Sequence, residues 1–384
     1  LRSCECVSTI SWANMISFLL YAVGCVLLAI YSYGFLDFNL TLTSYPLFLR
    51  FVAPLQHLVY FDRQLSAKIY VSLLFIMFAL YTAILQYCKT SKSAIFPWKF
   101  FLIIILILTL AYPMLSYDVF NYMFHSKILW FYHQNPHLHA PLEYTGDLWL
   151  RFMRWVHTSS AYGPVFTAIE SPAYLLGIGK FVPVLYLMKL TMSAFFVWCV
   201  YLIGKLTRAM GFTQANSTYA QLLLAFNPFI IMEVVVNGHN DAVMIALFLL
   251  SLYYSLKSKL IPSFISLLAS IGTKFVTALT LPMYWIKNPK LKVLFSSLVL
   301  LLPVLVSPVR FQPWYLVWAI IPMVLIEYAL ARTWVIFASI AALIYYIPYI
   351  ATGFWDNSLL FVSCVIYLPL VLSLALTRLA KLKL

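Results

Sequence analysis

IFPWKFFLIIILILTLAYPML, residues 95–115, carries a single charged side chain, Lys99. A helix that crosses a bilayer uses about 20 apolar residues, so this run has the length and composition of a span. Comparable runs fall at about 12–33, 67–88, 162–180, 184–204, 217–236, 241–256, 260–285, 291–308, 314–331, 333–352 and 357–376. Of the 384 residues, 64% are hydrophobic and only 9% charged, against roughly 25% charged in an average soluble domain. No polar block is long enough to form a soluble domain. These features exclude a soluble enzyme, a secreted disulfide scaffold and a disordered chain. Barrel strands alternate polar and apolar positions over about ten residues, and these runs do not. The expected fold is all-α: a polytopic transmembrane bundle of about 10–13 membrane helices. With no internal repeat and no low-complexity linker, residues 1–384 read as one domain.

The net charge of +14 would suggest nucleic acid in a soluble protein. Here the basic residues sit in short loops, which is the positive-inside pattern that sets orientation, and no nucleic-acid partner is expected. Lys89 and Lys92, Lys205 and Arg208, Lys257 and Lys259, Lys287 to Lys292, Arg332 and the Arg378–Lys383 tail mark the cytoplasmic side, with both termini there. Strict alternation of twelve spans would put Lys205 and Arg208 outside. The conflict disappears if 162–180 does not fully cross and 260–285 is two short helices or a re-entrant pair. Both carry breakers: Pro164 and Pro172 in one, Gly272 and Lys274 in the other. The chain begins at Leu1, which reads as a truncated start, and LRSCEC is too short and polar for a signal peptide. The six cysteines are scattered and lack metal or redox spacing.

Two loops on the non-cytoplasmic side are long. The first, about 34–66, contains LFLRFVAPLQHLVYF, a candidate interfacial helix. The second, about 116–161, is the most polar stretch of the chain. Asp118 opens it at the end of a span, and Val119–Trp130 reads as a short amphipathic helix on the surface. Asp118 has two readings: a cap for that helix, or a general base under the loop. His133, His137 and His139 have metal-like spacing, yet Pro136 and Pro141 break the segment. They read better as a histidine-rich solvated loop, and no metal is expected. Arg151 and Arg154 lie three apart between Trp149 and Trp155, which suits a lipid phosphate or ordinary interfacial anchoring.

Asn237-Gly238-His239-Asn240-Asp241 interrupts two apolar runs with almost no loop. A capped turn accounts for the glycine and one Asn or Asp. His239 is left over, so the knot is expected to face a cavity. Lys274 either neutralises a phosphate or snorkels to the cytoplasmic face. Arg310, Gln312, Trp314 and Tyr315 sit at a helix start where aromatics are often belt residues. Glu170 and Glu233 lie in apolar runs and are expected to face the interior.

The order of these motifs resembles the GT-C superfamily of integral-membrane glycosyltransferases, in particular the polyprenol-phosphate-mannose-dependent α-mannosyltransferases of bacterial envelope biosynthesis. The shared pattern is Tyr117-Asp-Val-Phe-Asn-Tyr122, then Asn135-Pro136, Tyr162-Gly-Pro164, Asn237 to Asp241, Thr273-Lys-Phe275 and Pro313-Trp-Tyr-Leu-Val-Trp318, within about residues 95–330. The resemblance implies an inverting transfer of a hexose, mannose first. The donor is a polyprenyl-phosphate-linked sugar, and the acceptor an envelope glycan or lipid. The setting is the non-cytoplasmic face of the plasma (inner) membrane, among membrane lipids. It implies Asp118 as the base. Arg151, Arg154, Tyr162, His239, Asn240, Asp241, Lys274, Gln312 and Trp314 are the candidates for holding substrate and the lipid phosphate. No cofactor is implied. Two rival classes fit a polytopic chain: a transporter or flippase of lipid-linked sugars, and an envelope polymer ligase, which would recruit Arg154 and His157. The missing repeat and the clustering of polar residues in one face's loops argue against transport.

Overall fold

The computed structural model describes residues 12–37, 43–90 and 95–382. Among them the regular structure is entirely helical. The chain runs through α1 (Trp12–Ser32), α2 (Pro46–Phe61), α3 (Arg63–Thr90), α4 (Trp98–Thr109), α5 (Asp118–Trp130), α6 (Pro164–Leu176), α7 (Phe181–Ala209) and α8 (Gln214–Ala225). It continues through α9 (Pro228–Ile230), α10 (Asp241–Leu256), α11 (Leu260–Ile271), α12 (Pro289–Val306), α13 (Leu316–Met323), α14 (Ala329–Ile344), α15 (Ile347–Thr352) and α16 (Leu359–Leu382).

Among the described residues six helices are long and apolar enough to cross a membrane, and a bent pair, α8 with the Pro228–Val236 segment, makes a seventh if counted as one span. This is a polytopic helical bundle. Four more apolar helices have 10–17 residues. At 1.5 Å per residue even the longest of these falls short of a hydrocarbon core of about 30 Å. Counted with the long helices, they reach the lower end of the range expected from the apolar runs.

The breaks fall where proline, glycine or a polar knot interrupts the pattern. α6 is only 13 residues long. The 260–285 run divides into α11 and a 3-10 stretch, Phe275–Trp285, around Gly272–Lys274. The run at 241–256 is one helix with those bounds. Irregular backbone at membrane depth must find partners inside the protein, and here it does. Past the end of α4, the buried Lys189 ammonium donates to the carbonyls of Leu108 (3.4 Å) and Ala111, and Tyr112 N–H donates to Ser32 Oγ at 2.8 Å. Between α8 and α9 the chain bends by 44°. There Asn227 caps α9 by accepting from Phe229 and Ile230 N–H and donates to Ser339 Oγ at 2.8 Å.

One expectation is corrected. α5 is not a surface helix: ten of its residues, Asp118–Ser126 and Ile128, are buried. It packs on α6 and α7, because Phe120, Tyr122 and Phe124 are as apolar as the faces around them. Cys25 and Cys199 are buried free thiols; Cys4 and Cys6 lie outside the described residues.

Candidate active site

Asp118 is the first residue of α5, and its side chain does not cap the helix: Tyr117 holds the cap position without a side-chain bond. Its backbone N–H instead donates to Ser116 Oγ at 3.3 Å. The carboxylate accepts from Trp155 Nε1 at 3.1 Å and from Tyr162 OH at 3.4 Å. Asn121, one turn further along α5, donates to the Trp155 carbonyl at 3.0 Å and so fixes that loop over the acid. The positive end of the α5 dipole favours a carboxylate at this position.

Beneath Asp118 lies the Asn237–Asp241 knot. Residues 231–236 form a π-helical segment, with Asn237 N–H donating to Met232 C=O at 2.8 Å. π-bulges occur frequently at functional sites because they re-aim the residues that follow. Here they bring His239, fully buried and stacked on Trp314 with ring centroids 4.5 Å apart, under the acid. Its Nδ1 is 3.7 Å from Asp118 Oδ2 and 3.8 Å from Asp241 Oδ2, and its Nε2 is 3.3 Å from Glu233 Oε2. Glu233 in turn accepts from Tyr346 OH at 2.7 Å and Asn237 Nδ2 at 3.0 Å. Asn237 Oδ1 receives Leu115 N–H at 3.1 Å, tying the knot back to the segment leading to Asp118.

Asp241, fully buried at the start of α10, forms an ion pair with Lys274 at 2.7 Å and accepts from Trp318 Nε1. Lys274 also donates to Asn240 Oδ1 at 3.4 Å. The Tyr162-Gly-Pro and Gly-Thr-Lys segments meet backbone to backbone: Gly163 N–H donates to Thr273 C=O and Val165 N–H to Gly272 C=O, both at 3.0 Å. A Cβ at Gly163 would collide with the Gly272 carbonyl. Gly163→Ala is therefore expected to push Tyr162 and Lys274 apart and to destabilise by about 1–3 kcal/mol, as overpacking does. A thermal midpoint equal to that of the wild type would contradict this.

Asp118 lines two cavities. The larger, about 620 Å³, is walled by Tyr117, Arg154, Phe311, Tyr345, Tyr349, Trp355 and, from α16, Leu359 and Val362. The smaller, about 290 Å³, is walled by Asn121, His125, Thr158, Ser159, Tyr162, Lys274 and Tyr315. Trp155, Gln312 and Trp314 line both. Arg154 stacks over Tyr117 at 4.9 Å, and among the described residues no carboxylate lies within ion-pair distance of it.

Of the residues singled out in the sequence, Asp118, Arg154, Tyr162, Lys274, Gln312 and Trp314 face a cavity. His239, Asn240 and Asp241 lie fully buried behind the wall, so they hold the wall rather than open onto it. Arg151 is exposed on the 3-10 turn Leu148–Phe152 and lines neither cavity. The turn ends at Phe152 and Met153 is extended, so the two arginines do not share a helix face. The loop histidines disperse: His139 pairs with Glu143 at 2.8 Å, and His137 bonds Thr167 at 3.1 Å. Among the described residues no group of three or more His, Cys, Asp or Glu is arranged to hold a metal. Trp155 and Tyr315, interfacial aromatics by sequence, line the site, as do Asn121 and His125; the i, i+3, i+7 spacing of Asp118, Asn121 and His125 places these three on one face of α5.

A family model described as alpha-(1->6)-mannopyranosyltransferase, N-terminal domain (MptA_B family), matches residues 18–287. No curated protein and no solved structure matches the chain. The match spans well over half of the sequence and includes Asp118, the Asn237–Asp241 knot and Lys274; the chain belongs to the MptA_B family of alpha-(1->6)-mannopyranosyltransferases, a mannosyltransferase built on a multi-pass membrane bundle.

Proposed function

We propose that this protein transfers a mannosyl residue from a polyprenyl-phosphate carrier to a hydroxyl of a glycan or lipid acceptor in one inverting displacement, with Asp118 as general base. The observation that carries this reading is the position of Asp118 on the shared wall of two unlike cavities. The larger cavity combines an arginine free of carboxylate partners with aromatic and aliphatic walls reaching α16, which suits a phosphate with a prenyl tail. The smaller brings Asn121, His125, Thr158 and Ser159 round Asp118, which suits a sugar hydroxyl.

In the reaction the acceptor oxygen attacks the anomeric carbon as its proton passes to the Asp118 carboxylate. The bond from that carbon to the phosphate oxygen breaks, and its electron pair leaves with the polyprenyl phosphate. Fixed positive charge steadies that leaving group best in a site that excludes water, and Arg154 supplies it. A phosphate monoester carries less charge than a nucleoside diphosphate, so the reading needs no metal. An α-(1→6) product from one inversion requires a β-configured donor and a primary hydroxyl as nucleophile. Chemistry is assigned to the non-cytoplasmic face of the plasma membrane, with both termini cytoplasmic, and the chain to a single domain.

The test is a transfer assay in nanodiscs with radiolabelled polyprenyl-phosphate-mannose and a panel of mannosides. Label should appear on the acceptor. Absence of both transfer and donor binding, with every lipid-linked sugar tried, would sink the reading. Arg154→Ala should raise the donor KM about tenfold or more, the loss expected when a hydrogen bond to a charged group is removed, with the acceptor KM little changed. An unaltered donor KM would move the phosphate away from Arg154.

A further inference from the structure

The smaller chamber holds polar groups that the proton transfer does not use. His125 is 2% exposed, yet neither ring nitrogen has a hydrogen-bond partner; Asn121 Oδ1 is likewise buried and unpartnered. Both residues line the chamber. Buried polar groups are nearly always satisfied, and two left unpartnered on one helix face, in residues that line a cavity, point to a ligand that completes them. The chemistry of that ligand is constrained. Lys274, the chamber's cation, is already paired with Asp241. Burial, and to a lesser degree nearby His137, pushes the His125 pKa down to about 3, so the neutral ring offers one donor and one acceptor. Tyr315 and Trp314 add aromatic faces. Uncharged donor–acceptor pairs beside aromatic rings match a neutral pyranose.

We infer that Asn121 and His125 are specificity-determining residues that bind the hydroxyls of the acceptor's terminal sugar, seating it in the smaller chamber with its attacking hydroxyl at Asp118. This rests on the transferase reading and adds to it the division of labour between the cavities. The donor occupies the larger, the acceptor sugar the smaller.

The experiment compares wild type with His125→Phe, which keeps a ring but removes both polar nitrogens, His125→Gln, which keeps a donor and an acceptor, and Asn121→Ala. Acceptor KM and donor KM are measured separately. Binding of methyl α-mannopyranoside is read from tryptophan fluorescence, since Trp155 and Trp314 line the chamber. His125→Phe should raise the acceptor KM about tenfold or more and abolish the sugar-dependent fluorescence change, with donor KM within about twofold. Asn121→Ala should act in the same direction, and His125→Gln should recover part of the loss. An acceptor KM and sugar binding indifferent to all three variants would overturn the inference while leaving transfer intact. A rise confined to donor KM would place the donor sugar in the chamber instead. Absence of transfer by the wild type would strike the parent reading, and a sugar-dependent fluorescence change lost in His125→Phe would still decide whether the smaller chamber binds a pyranose. If His125→Phe does not fold, Asn121→Ala and His125→Gln carry the same comparison.

Discussion

Asp118→Asn is expected to lower kcat by about 10²–10⁴-fold, the range a positioned general base contributes, while donor binding persists. Asparagine keeps an oxygen that can accept from Trp155 Nε1, and its amide can donate to the Tyr162 hydroxyl, so the loop stays seated and the loss reports proton transfer rather than collapse. The carboxylate is set up for this work by its surroundings. It sits at the positive end of α5, nearly enclosed, facing both cavities, with His239 3.7 Å behind it. An alcohol attacks poorly until its proton has somewhere to go, and no other carboxylate lines either cavity among the described residues. Equal transfer by wild type and Asp118→Asn would remove Asp118 from the mechanism and shift attention to Asp241. Loss of transfer together with loss of donor binding would make it a structural residue.

The second large effect is on stability. Asp241→Ala strands the Lys274 ammonium and the Trp318 indole N–H, both of which it satisfies. The cost is on the order of 1–3 kcal/mol, because the Trp318 N–H loses its acceptor and Lys274 its charged partner, while Lys274 stays partly exposed and bonded to Asn240. Asp241→Ala should therefore lower the thermal midpoint markedly. The double variant Asp241→Ala/Lys274→Met should recover much of that loss, because no unpaired charge remains. The two substitutions lie in contact, so their effects should be strongly non-additive. A double variant as unstable as the sum of the singles would show that the pair contributes nothing as a pair. Transfer should stay impaired in the double variant, since Lys274 faces the smaller chamber.

Much of the scaffold was legible in the chain. The run at 241–256 became a helix with those bounds because a polar knot precedes it and Lys257 follows. Pro164 opens α6, where its missing N–H has no helical partner to lose, Pro172 lies within that helix without ending it, and the helix stops at Gly177; at Gly272–Lys274 the break occurs because Gly272 lets the end of α11 pass against Val165. Other features escaped. α5 reads as amphipathic when taken alone, since His125 and Lys127 alternate with apolar residues; its burial depends on α6 and α7 covering it. Arg151 and Arg154 look equivalent until the extended Met153 after the 3-10 turn separates them.

What the sequence determined by itself is the solvent and the inventory. So few charges in so apolar a chain leave only a helical membrane bundle, and the polar residues remaining in it are too costly to be idle. What the tertiary structure decided is which of those residues meet. Asp241 and Lys274 are 33 positions apart, and Asp118 and His239 more than a hundred. No local spacing encodes such pairs. They depend on the register set by the π-helical turn at 231–236 and on the glycine-to-glycine contact that locks α6 to the end of α11. Helix formation is a local matter of backbone hydrogen bonding, whereas a site assembled from five segments exists only once their packing has fixed the distances between them.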